Sequence, residues 1–251
     1  MSKKNASEES SEQSLLEHID ELMRRLRRIV LWILLGAVVG YVALPYVTEY
    51  LFVPLENLGE LKPKIGFFRP FEKMWAMLRL SLYVGGFLVF PFILYEVMAF
   101  VGPAFHKKEK KQILPFLLFS LPAFLGGCVC GYFLVLPLIL KTVLGFGGNL
   151  QIEAFLGLAS YLSGFAGILI FSALLFELPV VMVFLTRWGW VKVEVWKRQR
   201  RLAFVINSIL SAFFSPPDPL SMILMIIPLQ VLYEAGIFFA NMAQYRSNGE
   251  K

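Results

Sequence analysis

Charge is scarce in this chain of 251 residues. Only 17% of the residues are charged, compared with about 25% in a typical soluble domain. Hydrophobic residues make up 57% of the chain and aromatic residues 15%. A soluble protein of this length could not cover its surface with so few polar side chains. The composition therefore predicts a polytopic membrane protein with a single helical bundle.

Histidine and cysteine are nearly absent, which excludes most enzymatic chemistry. The two histidines, His18 and His106, lie outside the apolar segments, so an intramembrane serine protease is excluded. Cys128 and Cys130 stand two residues apart in an apolar segment and point to different sides of a helix, so we expect neither a disulfide nor a metal site. No G-x-S-x-G, H-E-x-x-H or G-x-x-x-x-G-K-[ST] motif occurs. We therefore expect a protein that is not an enzyme and holds no cofactor or metal.

Six apolar segments predict an all-α fold with six transmembrane helices. The fifth segment has only thirteen residues before the block Ser215-Pro216-Pro217-Asp218-Pro219. Its helix would be about 20 Å long against a hydrocarbon core of about 30 Å. We expect short fifth and sixth helices, and kinks where prolines fall inside the apolar segments. The segments are residues 29–44, 74–100, 113–140, 161–185, 202–214 and 220–240.

The basic residues predict the orientation of the bundle. Eighteen of the 24 Lys and Arg residues lie before the first segment, in the second-to-third and fourth-to-fifth loops, or in the C-terminal tail. The positive-inside rule places both termini in the cytoplasm. Because the basic residues are spaced between apolar runs, we expect them to meet anionic lipid headgroups of the bilayer rather than nucleic acid, despite a net charge of +6.

The chain divides into a flexible polar N-terminus at residues 1–13, one membrane bundle at 14–240 and a cytoplasmic tail at 241–251. Within the bundle, residues 14–28 predict an N-terminal amphipathic helix, because apolar side chains recur at positions 15, 19, 22 and 26. Ser14 and Glu17 form a capping-box pattern at its start. We expect this helix to lie on the membrane surface and to run into the first span.

Three acidic residues fall inside the apolar segments. Glu177, in the sequence Phe-Glu-Leu-Pro, is the most isolated of them. A charged carboxylate at mid-membrane costs on the order of 3 kcal/mol, so this residue requires a function or a polar partner. Glu96 and Glu234 lie nearer the cytoplasmic ends of the second and sixth segments, and Glu96 could simply reach the interface. Asp218 is either an N-cap of the sixth helix or a residue with a further role.

Two carboxylates are predicted at the cytoplasmic rim. Glu21 could form an ordinary ion pair with Arg25 four residues later. Glu109 could be a solvated loop charge among the lysines at 107–111. The functional alternative is that the two carboxylates bind incoming guanidinium groups, because arginine matches a carboxylate bidentately and lysine does not.

Several short motifs follow one another along the chain. The motifs are His-Ile-Asp-Glu-Leu at 18–22 with Arg-Arg-Leu at 24–26, Pro-Phe-Ile-Leu-Tyr-Glu at 91–96, Phe-Val-Gly-Pro-Ala at 100–104, Phe-Glu-Leu-Pro at 176–179, Ser-Pro-Pro-Asp at 215–218, Ile-Pro at 227–228 and Leu-Tyr-Glu at 232–234. In this order and spacing they resemble the motifs of the TatC family, and the resemblance runs from about residue 15 to residue 240.

The resemblance implies a receptor subunit of the twin-arginine protein translocase. Such a protein binds signal peptides that carry an arginine pair and exports folded proteins, using the proton motive force and single-span partner subunits of the TatA/TatB type. It also implies self-association in a multimeric complex in the cell membrane. The implied signal-peptide residues are Glu21, Glu109, Arg25, Phe100 and Pro103, and the implied intramembrane polar or partner contacts are Glu177, Asp218, Pro54, Glu96 and Glu234.

A small proton-coupled solute transporter is the alternative function. In that interpretation Glu177 or Glu96 would carry the proton. Transporters of this kind favour inverted repeats with broken helices in matching halves. No internal repeat of this kind is evident in the sequence.

Overall fold

The computed structural model describes residues 2–101, 113–145, 155–214 and 219–249, with the side chains of residues 18–59, 61–101, 113–145, 155–213, 219, 222, 223 and 225–245. The described residues are almost entirely helical. The helices are α1 (Ser2–Leu51), α2 (Val53–Glu56), α3 (Glu72–Val101), α4 (Ile113–Cys130), α5 (Leu136–Gly145), α6 (Leu158–Arg187), α7 (Val193–Arg198), α8 (Arg200–Phe214) and α9 (Pro219–Gly249).

Each of the six predicted apolar segments lies within helical structure. The first, second, fourth, fifth and sixth segments lie in α1, α3, α6, α8 and α9. The third runs through α4, a π-helical turn at Gly131–Val135, and α5. Five of the described helical stretches are long and apolar enough to cross a membrane. The all-α, polytopic membrane fold is therefore confirmed.

The two helices predicted to be short differ in the structure. Helix α8 has 15 residues, fewer than the roughly 20 that a span requires, as expected for the fifth segment. Helix α9 has 31 residues, so the prediction of a short sixth helix is wrong. No proline follows the last apolar residue, and Met242, Ala243 and Gln244 are good helix formers, so the helix continues past the apolar segment.

The structure divides into two compact units. The first contains residues 1–44 and 77–117. In it α1 and α3 pack through glycines, because a Cβ on Gly36 would lie 2.6 Å from the carbonyl oxygen of Gly85. Trp32 and Phe92 stack beside this contact with ring centroids 4.6 Å apart. Small residues let transmembrane helices approach closely, and here they bring α1 against α3.

The predicted amphipathic segment is not a separate helix. It forms part of α1, which begins at Ser2 and continues through Ser14, so the predicted capping box does not start a helix. The apolar side chains Ile19, Leu22 and Leu26 are about half exposed in this chain. An adjacent side of the helix carries Glu21 and Arg25, which are more buried than these apolar neighbours.

The second unit contains residues 45–76 and 118–251. Its hydrophobic core joins α6, α7, α8 and α9 through the buried side chains of Met182, Val193, Ala203, Tyr233, Ile237 and Ala240. The Tyr161 hydroxyl donates a hydrogen bond of 2.6 Å to the backbone oxygen of Leu51. This bond satisfies a carbonyl at the C-terminal end of α1, where no further turn of helix can do so.

A small parallel sheet, which the sequence did not predict, also lies in the second unit. Its strands are β1 (Lys64–Gly66) and β2 (Phe155–Gly157), with Ile65 opposite Leu156. The carboxylate of Glu72 accepts backbone hydrogen bonds from Phe68 at 2.7 Å and from Ala159 at 3.2 Å. One carboxylate therefore ties the segment before α3 to the start of α6.

Candidate functional site

Four charged side chains of the first unit form an arginine–carboxylate cluster made of Glu21, Arg25, Arg28 and Glu96. Helix α1 supplies the first three, and α3 supplies Glu96. The Arg25 guanidinium donates to Glu21 Oε1 from Nε at 3.0 Å and from Nη2 at 2.5 Å. Its Nη1 donates to Glu96 Oε2 at 3.2 Å, so Arg25 bridges the two carboxylates.

Glu96 is the buried member of this cluster. Its relative exposure is 3%, so protein atoms cover this side chain almost completely. A buried carboxylate is costly unless it is paired and hydrogen-bonded. Both oxygens of Glu96 are paired, Oε2 with Arg25 and Oε1 with Arg28 at 3.1 Å. Two guanidinium groups therefore compensate for the burial of one carboxylate.

Glu21 is the more accessible of the two carboxylates in the cluster. The predicted ion pair with Arg25 is present, and the Glu21 side chain is still 26% exposed. Both contacts from Arg25 go to the same oxygen, Oε1. Within the part of the chain that the structure describes, no group hydrogen-bonds Glu21 Oε2. This second oxygen can accept a hydrogen bond from an incoming donor while Arg25 holds the first.

Phe100 lies against the same helix. Its ring stacks on the imidazole of His18 with centroids 4.6 Å apart and an interplanar angle of 24°. The sequence did not predict this contact, although His18 stands one turn of helix before Glu21 and two turns before Arg25. Pro103 and Glu109, also predicted at this site, lie outside the described residues. Glu21 and Arg25 thus lie in α1, and Glu96 and Phe100 contact that helix from α3.

Glu177 is the isolated carboxyl of the second unit. It lies in α6 and is 8% exposed. The hydroxyl of Ser120 in α4, which is fully buried, donates a hydrogen bond to its Oε2. Its Oε1 has no hydrogen-bond partner among the described residues. A buried oxygen without a partner is costly in an apolar interior, so this carboxyl is suited to one further polar contact.

The sequence did not identify Ser120 as the partner of Glu177. A serine inside the third apolar segment was the available signal, because hydroxyls in membrane helices often hydrogen-bond across to a neighbouring helix. A sequence does not reveal which of several membrane serines faces a given carboxyl. The glycine at 127 allows the approach here, since a Cβ on it would lie 2.6 Å from the Cα of Ala173 in α6.

The remaining predicted residues are placed as follows. Glu234, in α9, is partly exposed and accepts a hydrogen bond of 2.7 Å from Arg200 of α8. It lies on an open apolar groove formed with Phe204, Gln230 and Phe238. Pro54 is buried in the first turn of the short helix α2. Asp218 lies outside the described residues.

Comparison with known proteins connects these sites to one family. Residues 17–228 match the family model described as Sec-independent protein translocase protein (TatC). The chain is 31% identical over 232 residues to the TatC protein of Halalkalibacterium halodurans, covering 92% of this chain and 90% of that protein. It is 34% identical to TatC of Desulforapulum autotrophicum over 93% of this chain and 86% of that protein.

A solved structure agrees with these relatives. The crystal structure of the twin arginine translocase receptor TatC superimposes with a TM-score of 0.77 at 32% sequence identity. The match covers 90% of this chain and 99% of the solved chain. A second crystal structure of the twin arginine translocase receptor TatC, in DDM, superimposes with a TM-score of 0.78. None of these matches supports the alternative of a small proton-coupled solute transporter.

Proposed function

Because this chain belongs to the TatC family of Sec-independent protein translocase proteins, we propose that it is the subunit that binds twin-arginine signal peptides for export of folded proteins. The chain is a multi-pass membrane protein. We propose that it resides in the cytoplasmic membrane with both termini in the cytoplasm, as the distribution of basic residues indicates. In this role it binds and assembles, and it catalyses no covalent reaction.

The observation that carries this proposal is the way in which Glu21 already binds a guanidinium. Arg25 engages Oε1 of Glu21 through two nitrogens at 3.0 and 2.5 Å. The other oxygen accepts no bond from the described residues, and the side chain is 26% exposed. Carboxylates match guanidinium geometry better than they match ammonium, because the planar guanidinium presents several donors in a fixed fork. Glu21 thus supports recognition of arginine over lysine.

The rest of the signal-peptide site is proposed from the sequence. Glu109 supplies a second carboxylate for the second arginine of the pair, and Phe100 and Pro103 shape the surface beside it. Arg25 orients Glu21 from within the cluster. The stacking of Phe100 on His18 fixes an aromatic ring near α1 and supports this arrangement.

A second site is proposed for partner subunits. Glu177 has one unpaired oxygen in a buried position, so it can accept or donate one hydrogen bond with a polar side chain of a single-span TatA/TatB-type helix. Glu234, Glu96, Pro54 and Asp218 are further predicted polar or partner contacts. The proton motive force drives transport in this proposal, as the resemblance to the TatC family implies. Self-association in a multimeric complex completes the assembly.

The experiment is a binding comparison between two precursors that differ only in the arginine pair. The protein is reconstituted in lipid nanodiscs, and precursors with an Arg-Arg or a Lys-Lys signal peptide are tested for co-purification. We expect the Arg-Arg precursor to be retained and the Lys-Lys precursor to be retained at least tenfold less, since one charge-assisted bidentate contact is lost. Equal retention of the two precursors would refute the proposal.

A further inference from the structure

We propose that Glu96 is a positioning residue for arginine recognition. Its role is to retain Arg25 when Glu21 accepts an incoming guanidinium. This inference rests on the proposed function, and it concerns a buried carboxylate that does not itself touch the signal peptide. The observation behind it is that Arg25 is shared between two carboxylates of different accessibility, Glu21 and Glu96.

The charges of the cluster explain why Arg25 must be retained. Glu21 and Glu96 carry two negative charges, and Arg25 and Arg28 carry two positive charges, so the cluster is neutral before a ligand arrives. An incoming arginine adds a positive charge beside Arg25, on the same carboxylate. Like charges at such a distance repel each other. Arg25 then needs another carboxylate to hold it, and Glu96 already contacts its Nη1 at 3.2 Å.

Burial determines which of the two carboxylates can serve the ligand. The Arg25 side chain is only 16% exposed, so it cannot simply turn into water when an incoming arginine competes for Glu21. The Glu96 side chain is 4% exposed and has both oxygens occupied, so it is not accessible to a peptide. The two carboxylates therefore have different roles. Glu96 holds Arg25, and Glu21 offers its second oxygen to the incoming arginine.

Arg28 competes with Arg25 for Glu96. It lies 3.1 Å from the other oxygen of Glu96, and its side chain is 52% exposed. Without Arg28, Glu96 would pair with Arg25 alone, and the net charge of the cluster would become more negative. Both effects favour an incoming arginine. The inference therefore predicts that changes at Glu96 and at Arg28 have opposite effects on binding.

The test measures affinities of a fluorescent signal peptide for the full chain in nanodiscs, with Arg-Arg and Lys-Lys forms of the peptide. We expect Glu96→Gln to weaken Arg-Arg binding about tenfold, within the range typical of coupling between sites, because Arg25 is then held by Glu21 alone. Glu49→Gln, a change of an exposed carboxylate elsewhere on α1, is the matched control and should leave affinity within about twofold.

A second variant keeps the test decisive if Glu96→Gln does not fold. We expect Arg28→Gln to strengthen Arg-Arg binding about threefold by releasing Glu96 to Arg25. Arg27→Gln removes the same charge from a neighbouring side chain whose described bond is a 3.4 Å contact to the Met23 carbonyl, so it controls for net charge. A folded Glu96→Gln protein with unchanged affinity, or Arg28→Gln binding no tighter than Arg27→Gln, would overturn the inference.

The two peptides separate this inference from the proposed function. If the unmodified chain binds Arg-Arg and Lys-Lys peptides equally, the proposed function fails. If it discriminates between them but the variants at Glu96 and Arg28 do not change the Arg-Arg affinity as expected, only the role of Glu96 fails. A residue that merely stabilised the fold would not raise affinity when its partner Arg28 is removed.

Discussion

The carboxylates of the two units are stabilised by different kinds of partner. In the first unit, Glu96 is buried against two guanidinium groups, and Glu21 contacts one of them. In the second unit, Glu177 is buried against a single hydroxyl, that of Ser120, and one of its oxygens has no partner among the described residues. The first arrangement supplies positive charge to a carboxylate, and the second supplies only a dipole.

This difference indicates what each region can recognise. The arginines of the first unit place positive charge beside both carboxylates, and the cluster is suited to binding a further cation through the second oxygen of Glu21, whose side chain is partly exposed. A carboxyl with only a hydroxyl beside it cannot be stabilised as a charge to the same degree in an apolar interior. Glu177 is therefore better suited to a neutral polar side chain than to a charged signal peptide.

The largest expected effect follows from reversing the charge of Glu21, the partly exposed carboxylate of the first unit. Glu21→Lys should weaken binding of an Arg-Arg precursor by roughly ten- to a hundredfold, because it removes a charge-assisted hydrogen bond and adds a repulsive ammonium group. Co-purification of the precursor from nanodiscs measures the effect. Glu49→Lys, on the same helix but outside the cluster, is the control and should bind normally. If Glu21→Lys binds the precursor normally, the carboxylate cluster of the first unit does not recognise the arginine pair, and the proposed difference in function between the two units is wrong.

A smaller effect is expected at the carboxyl that has only a hydroxyl partner. Glu177→Ala should reduce recovery of a single-span partner subunit by about five- to thirtyfold, the range for one hydrogen bond between membrane helices, while the protein still inserts. Glu177→Gln is the informative control, because an amide keeps a hydrogen-bonding group without a charge. If Glu177→Gln recovers the partner subunit nearly as well as the unmodified chain, the contact is with a neutral side chain of the partner. Equal loss with Ala and Gln would indicate that the site requires the carboxyl group itself.

The sequence predicted the helices well because their signal is local. Apolar runs bounded by charged or proline-containing loops located all six helical segments. The prediction was wrong at the ends of helices, because these depend on the surrounding structure and not only on the local sequence. Pro45 does not end α1, which continues to Leu51, and α9 continues well beyond its apolar segment. The two short strands are paired across about ninety residues of sequence, so no local pattern could have predicted them.

The sites show the same division between local and long-range information. The pair of Glu21 and Arg25 was predictable, since residues four apart share a helix face. The contacts of Glu96 with α1 and of Ser120 with Glu177 join residues separated by 71 and 57 positions. They depend on how helices pack, and glycines such as Gly36 and Gly127 decide that packing. The sequence thus identified the acidic residues and the partner of Glu21 on the same helix, but not the partners that lie on other helices.

The smallest expected effect concerns the hydroxyl that holds Glu177. Ser120→Ala leaves both oxygens of a buried carboxyl without a described partner, which should lower the free energy of unfolding by about 1 kcal/mol. Thermal unfolding in detergent measures this difference. Ser163→Ala is the matched control, because the Ser163 hydroxyl is exposed and donates to the Ala159 carbonyl of its own helix. If Ser120→Ala and Ser163→Ala unfold at the same temperature, the hydroxyl contributes no stabilisation, and Glu177 must be satisfied by another group in the folded protein.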